Sequence, residues 1–86
     1  MIGRTVLVTG AGGFIGANLT RHLIKEGALV HAFVHANDRL WRLKDCLPRI
    51  TIHPVDLKAR TDVEAAVYAI RPQLVWHLAT HGGYPH

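Results

Sequence analysis

Apolar residues along this chain alternate between short continuous runs and spaced stripes. Arg4 to Thr9, with Val6, Leu7 and Val8 at its centre, is short, β-branched and closed by glycine, which predicts a buried strand. From Phe14 to Glu26 the period changes. Ile15, Leu19 and Leu23 recur every fourth residue, the stripe of an amphipathic helix, and Gly27 is placed to cap its C-terminus. Leu29 to Val34 predicts a second strand. Asn37 to Leu47 predicts a short helix with Leu40, Leu43 and Leu47 on its apolar face and Pro48 just past its end. Ile50 to Val55 reads as a third strand, in which Pro54 implies an edge position or an early end. Thr61 and Glu64 predict a capping box, because a Thr N-cap and a Glu three residues later satisfy free N–H groups reciprocally. Val63, Ala66, Val67 and Ile70 continue that helix as a core stripe, Tyr68 falls inside the stripe, and Pro72 ends it. Gln73 to Leu78 predicts a fourth strand.

The order β-α-β-α-β-α-β implies an α/β fold with a parallel sheet and right-handed crossovers. The doubly wound, Rossmann-type arrangement places the strands in the order 3-2-1-4. Four strands make half of such a fold, a truncated version in which the fourth strand lacks a fifth beside it. Leu74, Val75 and Trp76 then lie on an open apolar edge. Open edges pair with other chains, so a homodimer or higher assembly through this strand is expected.

Composition narrows the class. The 86 residues make one domain, 1–86, with no internal repeat or linker. At 49% hydrophobic residues the chain is too apolar for disorder and suits buried parallel strands. Its longest apolar run is far shorter than the roughly 20 residues of a membrane span. Met1-Ile2-Gly3-Arg4 leads directly into a strand and lacks the parts of a signal peptide. Cys46 is the single cysteine, which excludes an intrachain disulfide and fits a reducing cytoplasm. Although it lies near basic residues, it reads as packed rather than reactive. The net charge of +4 attracts polyanions, and it suits a phosphorylated dinucleotide as well as a nucleic acid. With no recognised motif and no aromatic-rich basic strip, nucleic acid is the weaker expectation. Of the seven histidines, His31 and His35 share a strand face, and His77 and His81 straddle a strand end. Metal sites need three or four converging ligands, so no metal site is expected.

The chemistry concentrates at Thr9-Gly10-Ala11-Gly12-Gly13-Phe14-Ile15-Gly16, where the first strand gives way to the first helix. Gly10 permits the tight turn out of the strand. Gly13 lets a pyrophosphate approach the backbone, and Gly16 lets the helix pack closely on the sheet. Phosphates there meet unpaired N–H groups, Phe14 and Ile15 among them, and the positive end of the helix dipole. A glycine-rich turn without a ligand is the plain alternative, against which the strand-to-helix context argues. Ile15-Gly16-Ala17 stands where a kinase-type P-loop has Gly-Lys-Ser or Gly-Lys-Thr, which excludes that loop.

Val-Leu-Val-Thr-Gly-Ala-Gly-Gly-Phe-Ile-Gly resembles the opening of the extended short-chain dehydrogenase/reductase family, the NAD(P)-dependent sugar-nucleotide epimerases and dehydratases. Asp56-Leu57 resembles the family's Asp-aliphatic pair that contacts adenine. Trp76-His77-Leu78-Ala79-Thr80 resembles its His-Leu-Ala-Ala segment beside the cofactor. The resemblance spans essentially the whole chain. It implies that Asp56 accepts a hydrogen bond from the adenine amino group, and that Leu78, Ala79 and Thr80 line the cofactor channel. Asp56 serves equally as a turn or capping residue, and Leu78 and Ala79 as strand core. NAD-preferring members carry an acid after the second strand for the ribose 2′-hydroxyl, but here the residues are Val34-His35. Members closer to this sequence have Val-Arg there, and that arginine meets the 2′-phosphate of NADP. His35, helped by Arg39 and Arg42, would take its place, which puts NADP ahead of NAD. Asp38 would support NAD if its loop folds back, and Arg39, Arg42 and Lys44 also suit a solvated helix face.

The family's proton chemistry uses a Tyr-x-x-x-Lys pair. Tyr68 is followed by Pro72 at the lysine position, and Tyr84 has two residues after it. No catalytic residue is therefore expected in these 86 residues. Two readings stay open: the cofactor-binding portion of a sugar-nucleotide epimerase, dehydratase or reductase, or a free-standing, non-catalytic dinucleotide-binding or sensing module.

Overall fold

The computed structural model describes residues 2–35 and 40–78. Four strands, β1 (Thr5–Thr9), β2 (Leu29–Val34), β3 (Ile50–Pro54) and β4 (Leu74–His77), form one sheet in the order β3-β2-β1-β4. All pairs are parallel: Val6 faces Val30 on one side and Leu74 on the other, and Phe33 faces His53. Helix α1 (Phe14–Lys25) joins β1 to β2, and α2 (Arg60–Ile70) carries the chain from β3 at one edge to β4 at the other. This is the expected Rossmann-type half-sheet.

Successive strand side chains point to opposite faces. Val6, Val8, Val30 and Ala32 form one buried cluster with Ala17 and Leu23 of α1 and with Leu43 and Cys46. Ile50 and Ile52 of β3 pack against it. Leu7 and Phe33 are buried on the other face, over which the right-handed crossover rule routes α2. Gly27, at φ +85°, ends α1 as expected, and its N–H donates to Ile24 O at 2.9 Å. Pro54, which has no N–H for the ladder, is the last residue of an edge strand.

Three expectations are corrected. The helix over Asn37–Leu47 does not form in its described part. There the chain makes two 3-10 turns, Trp41–Leu43 and Leu47–Arg49, closed by bonds such as Leu43 N–H to Leu40 O at 2.9 Å. Pro48 lies inside the second turn rather than beyond it, and a proline there obstructs the carbonyl four residues earlier that a continuous helix would use. Tertiary contacts hold the segment instead: Leu43 is fully buried, and Arg21 of α1 donates to the Arg42 carbonyl. The capping box is also absent. Helix α2 starts at Arg60 with Ala59 as N-cap and no side-chain cap, because a turn built on Asp56 sets its entry. Asp56 Oδ1 accepts Lys58 N–H at 2.9 Å, and Asp56 O accepts Ala59 N–H at 2.9 Å. Glu64 pairs with Arg60 at 2.9 Å rather than reaching back to Thr61. Finally, the α2 stripe is shallower than predicted. Val63, Ala66, Val67 and Ile70 are half-buried, while Tyr68 lies off the stripe, 71% exposed beneath the Arg71 guanidinium.

The β1-remote side of β4 has no strand partner among the described residues, and Leu74, Val75 and Trp76 are exposed. Cys46 is buried, and burial pushes its thiol above the ordinary range, which disfavours the reactive thiolate. No described helix is long and apolar enough to cross a membrane.

His31 Nδ1 and His53 Nε2 lie 2.9 Å apart, with the rings stacked at 5.2 Å between β2 and β3. Burial, and then the neighbouring His31, hold His53 below the ordinary histidine pKa. The unfolded chain therefore binds this proton more readily, and stability falls as pH drops through the histidine range near ~6.5. Thermal melts between pH 8 and pH 5 are expected to show this loss, and His53→Gln should flatten the slope. An unchanged slope in that variant would assign the effect elsewhere.

Candidate functional site: a phosphate cradle at the start of α1

The carboxyl ends of β1 and β2, the glycine loop and the first turn of α1 meet at one end of the sheet. Gly10 adopts φ +74°, the left-handed region that suits glycine, and turns the chain out of β1. Gly13 N–H donates back to Gly10 O at 3.1 Å, and Ala17 N–H donates to Gly13 O at 2.9 Å. A Cβ on Gly16 would collide with Gly10 O and stand 2.8 Å from the carbonyl carbon, so only glycine allows α1 to lie this close to the loop. Thr20 locks the contact from below: it is buried, and its hydroxyl donates to Gly16 O at 2.7 Å.

Gly13 differs. A Cβ there would meet Gly10 O at 3.5 Å, an ordinary contact, so the packing of the chain does not itself require glycine. The N-terminus of α1 carries no side-chain cap and no acidic residue in its first turn. Its N–H groups and positive dipole end are thus left for an external acceptor. These residues fit the pyrophosphate of a dinucleotide. Phe14 and Ile15, 70% and 69% exposed, form the rim of the cradle.

The second set of predicted residues sits at the mouths of β2 and β3. His35 Nε2 lies 4.0 Å from Asp56 Oδ2, a pairing charged only when His35 is protonated. The other oxygen of Asp56 accepts Lys58 N–H, so this carboxylate has the turn-forming role and keeps one oxygen directed at His35. Leu57 and Leu78 are half-buried, and Leu78 N–H donates to Thr9 O at 3.1 Å just past the end of β4. Arg39, Ala79 and Thr80 lie outside the described residues.

Some contacts around the loop have no local sequence signal. Arg42 Nη1 donates to Gly12 O at 3.3 Å, and its guanidinium lies 4.5 Å over the Trp41 ring. Arg21 clamps Asp45, with Nη2 to Oδ1 at 2.9 Å, and also donates to the Arg42 carbonyl. Phe14, Asn18, Arg21, Trp41 and Arg42 line a cleft of about 280 Å³ between α1 and the first 3-10 turn. At the other side of the loop, Thr9 Oγ1 and His77 Nδ1 are 2.6 Å apart and tie the ends of β1 and β4 together. Partners 21 to 68 residues apart meet here through topology alone.

Comparison with known proteins places this arrangement. The sequence model of the NAD dependent epimerase/dehydratase family matches residues 6–86. Cinnamoyl-CoA reductase 2 of Medicago truncatula is 34% identical over 82 residues, 90% of this chain and 24% of that protein. The dTDP-4-dehydro-6-deoxy-D-allose reductase of Streptomyces bikiniensis is 37% identical over 84 residues, 94% of this chain and 26% of that protein. The UDP-glucose 4-epimerase of Thermus thermophilus, solved in complex with NAD, superposes with a TM-score of 0.76 at 31% identity. That superposition covers 90% of this chain and 24% of the epimerase. The chain therefore spans about a quarter of the length of the curated relatives it matches.

Two substitutions separate the roles of the glycines. Gly16→Ala forces a methyl into Gly10 O and is expected to destabilise the fold by about 1–3 kcal/mol, the cost of overpacking, as measured by urea unfolding. Gly13→Ala leaves stability within about 0.5 kcal/mol and weakens dinucleotide binding at least about tenfold, because its methyl occupies the cradle. Equal stability losses in the two variants would contradict this division.

Proposed function

The chain belongs to the NAD-dependent epimerase/dehydratase family, and from that premise we propose that it forms the dinucleotide-binding portion of a sugar-nucleotide epimerase, dehydratase or reductase. The observation that carries the reading is a glycine at 13, which the packing of the chain does not require, at the N-terminus of an α1 that has neither a side-chain cap nor an acid in its first turn. In this role the loop N–H groups hold the pyrophosphate, while Asp56 and Leu57 border the adenine. The bound nicotinamide supplies hydride exchange with a sugar carbon. The residues described here bind and orient, and no Tyr-x-x-x-Lys pair occurs among the 86. The name of the Streptomyces relative, a dTDP-sugar reductase, supports a sugar nucleotide as substrate class.

NADP is the proposed preference over NAD. His35 stands where an acid would bind the ribose 2′-hydroxyl, and an acid there would repel a 2′-phosphate. The free thiol of Cys46 agrees with a cytoplasmic setting. The exposed β4 residues support assembly with a second copy.

Calorimetric titration with NAD, NADP and ADP-ribose tests the binding role. Saturable binding of all three, tightest for NADP, is expected; no binding of any would remove it. Sedimentation at micromolar concentration should report a species larger than one chain, and a monomer would remove the assembly.

A further inference from the structure

Val30 and Ala32 of β2 and Ile50 and Ile52 of β3 turn toward α1, so His31 and His53 turn to the opposite face of the sheet. The register pairs His31 with Thr51 and Phe33 with His53, which makes the two imidazoles diagonal neighbours on that face. His31 Nδ1 and His53 Nε2 are 2.9 Å apart, and the rings stack with an interplanar angle of 26°. Phe33 packs edge-on against His53, with ring centroids 6.0 Å apart. Both histidines are half-buried. β-Branched and aromatic residues ordinarily fill such a surface, and burying imidazole nitrogens there carries a desolvation cost that packing does not require. The contact between the rings offsets part of it by satisfying one nitrogen of each.

The spacing of the two nitrogens suits a further ligand. Two nitrogens each about 2.0–2.1 Å from one metal ion are about 2.9 Å apart when they meet it at a right angle, and about 3.3–3.4 Å apart at the tetrahedral angle. The observed 2.9 Å is the right-angle span. Right-angle nitrogen coordination belongs to Cu²⁺ and Ni²⁺, whereas Zn²⁺ favours the tetrahedron. The ladder between β2 and β3 fixes the register of both rings, so the span is set before a metal arrives. Burial holds His53 below the ordinary histidine range, which keeps its ring neutral and its lone pair available at neutral pH. Each neutral ring carries one proton. Ligation through the facing nitrogens leaves that proton on the far nitrogen of each ring, with no net proton released. The ligand count that argues against a metal applies to a closed cage, and no group of three or more His, Cys, Asp or Glu converges among the described residues. Water or an outside ligand would fill the other positions of an open site. We propose that His31 and His53 form an open two-histidine site for a divalent transition metal of right-angle preference, Cu²⁺ foremost, which ties β2 to β3.

The test begins with nuclear magnetic resonance of the full, unaltered chain at neutral pH, titrated with less than one equivalent of Cu²⁺. The paramagnetic ion broadens the signals nearest to it. The ring signals of His31 and His53 are expected to vanish before those of His22, His35, His77, His81 and His86. Calorimetry should give one tight Cu²⁺ site per chain. Losing a ligand costs at least as much as losing a ligand's hydrogen-bonded support, so His31→Gln and His53→Gln should each weaken that site about tenfold or more. His22→Gln, at an exposed position on α1, should leave it within about twofold. Circular dichroism verifies that each variant is folded, and the broadening pattern of the unaltered chain decides the matter if one is not. Ni²⁺ should bind more tightly than Zn²⁺. Broadening that starts at other histidines would overturn the proposal, as would Cu²⁺ affinity unchanged in both folded variants. Tighter binding of Zn²⁺ than of Ni²⁺ would overturn the right-angle assignment.

Discussion

The approach of α1 to the glycine loop constrains everything around it. Gly10 O sits where a side chain on residue 16 would have to be, and that single clash forbids any Cβ there. The helix can then lie against the end of β1, and Ala17, Thr20 and Leu23 bury against the sheet. The first turn of α1, which starts at this contact, has no side-chain cap and no acidic residue. Close packing and an uncapped helix end thus meet at one contact. Glycine at 16 is required by the fold, and glycine at 13 is not.

The sheet distributes its protection unevenly. The α1 face is closed by the helix, by Leu43 and by Cys46. The β3 edge ends in Pro54, which blunts strand addition. At β4 all four residues are exposed, and the strand holds its place through β1 and through the Thr9–His77 contact. Family relatives are about four times as long as this chain, by the roughly quarter-length coverage of each match. Proposals about β4 therefore concern a surface that another polypeptide segment is suited to cover.

Charge at the site is arranged by pairing. Arg21 is taken up by Asp45, and Asp56 is shared between a turn and His35. The outcome, among the described residues, is a loop bordered by a positioned guanidinium, with no acid in the first turn of α1. The overall basic balance of the chain says much less than this local excess, because a dispersed surface charge is screened while a held one is directional.

The strands, α1, the 3-2-1-4 order and the backbone roles of Gly10 and Gly16 were all legible in the sequence. Each rests on local rules: a period of two or 3.6, a glycine where φ is positive, and right-handed crossovers. The segment after β2 was not legible. Its leucine spacing suits a helix, but Leu43 is drawn into the core and Arg21 holds the Arg42 carbonyl, contacts made across more than twenty residues. The Thr61–Glu64 pair likewise satisfied a local rule that the Asp56 turn displaced. In the same way, Arg42 was visible as a basic residue but its place at Gly12 was not. Sequence by itself determined which backbone shapes were available here, because propensity and periodicity are local. Tertiary structure decided which side chains reach the cradle, because that depends on partners distant along the chain and adjacent only in the folded sheet.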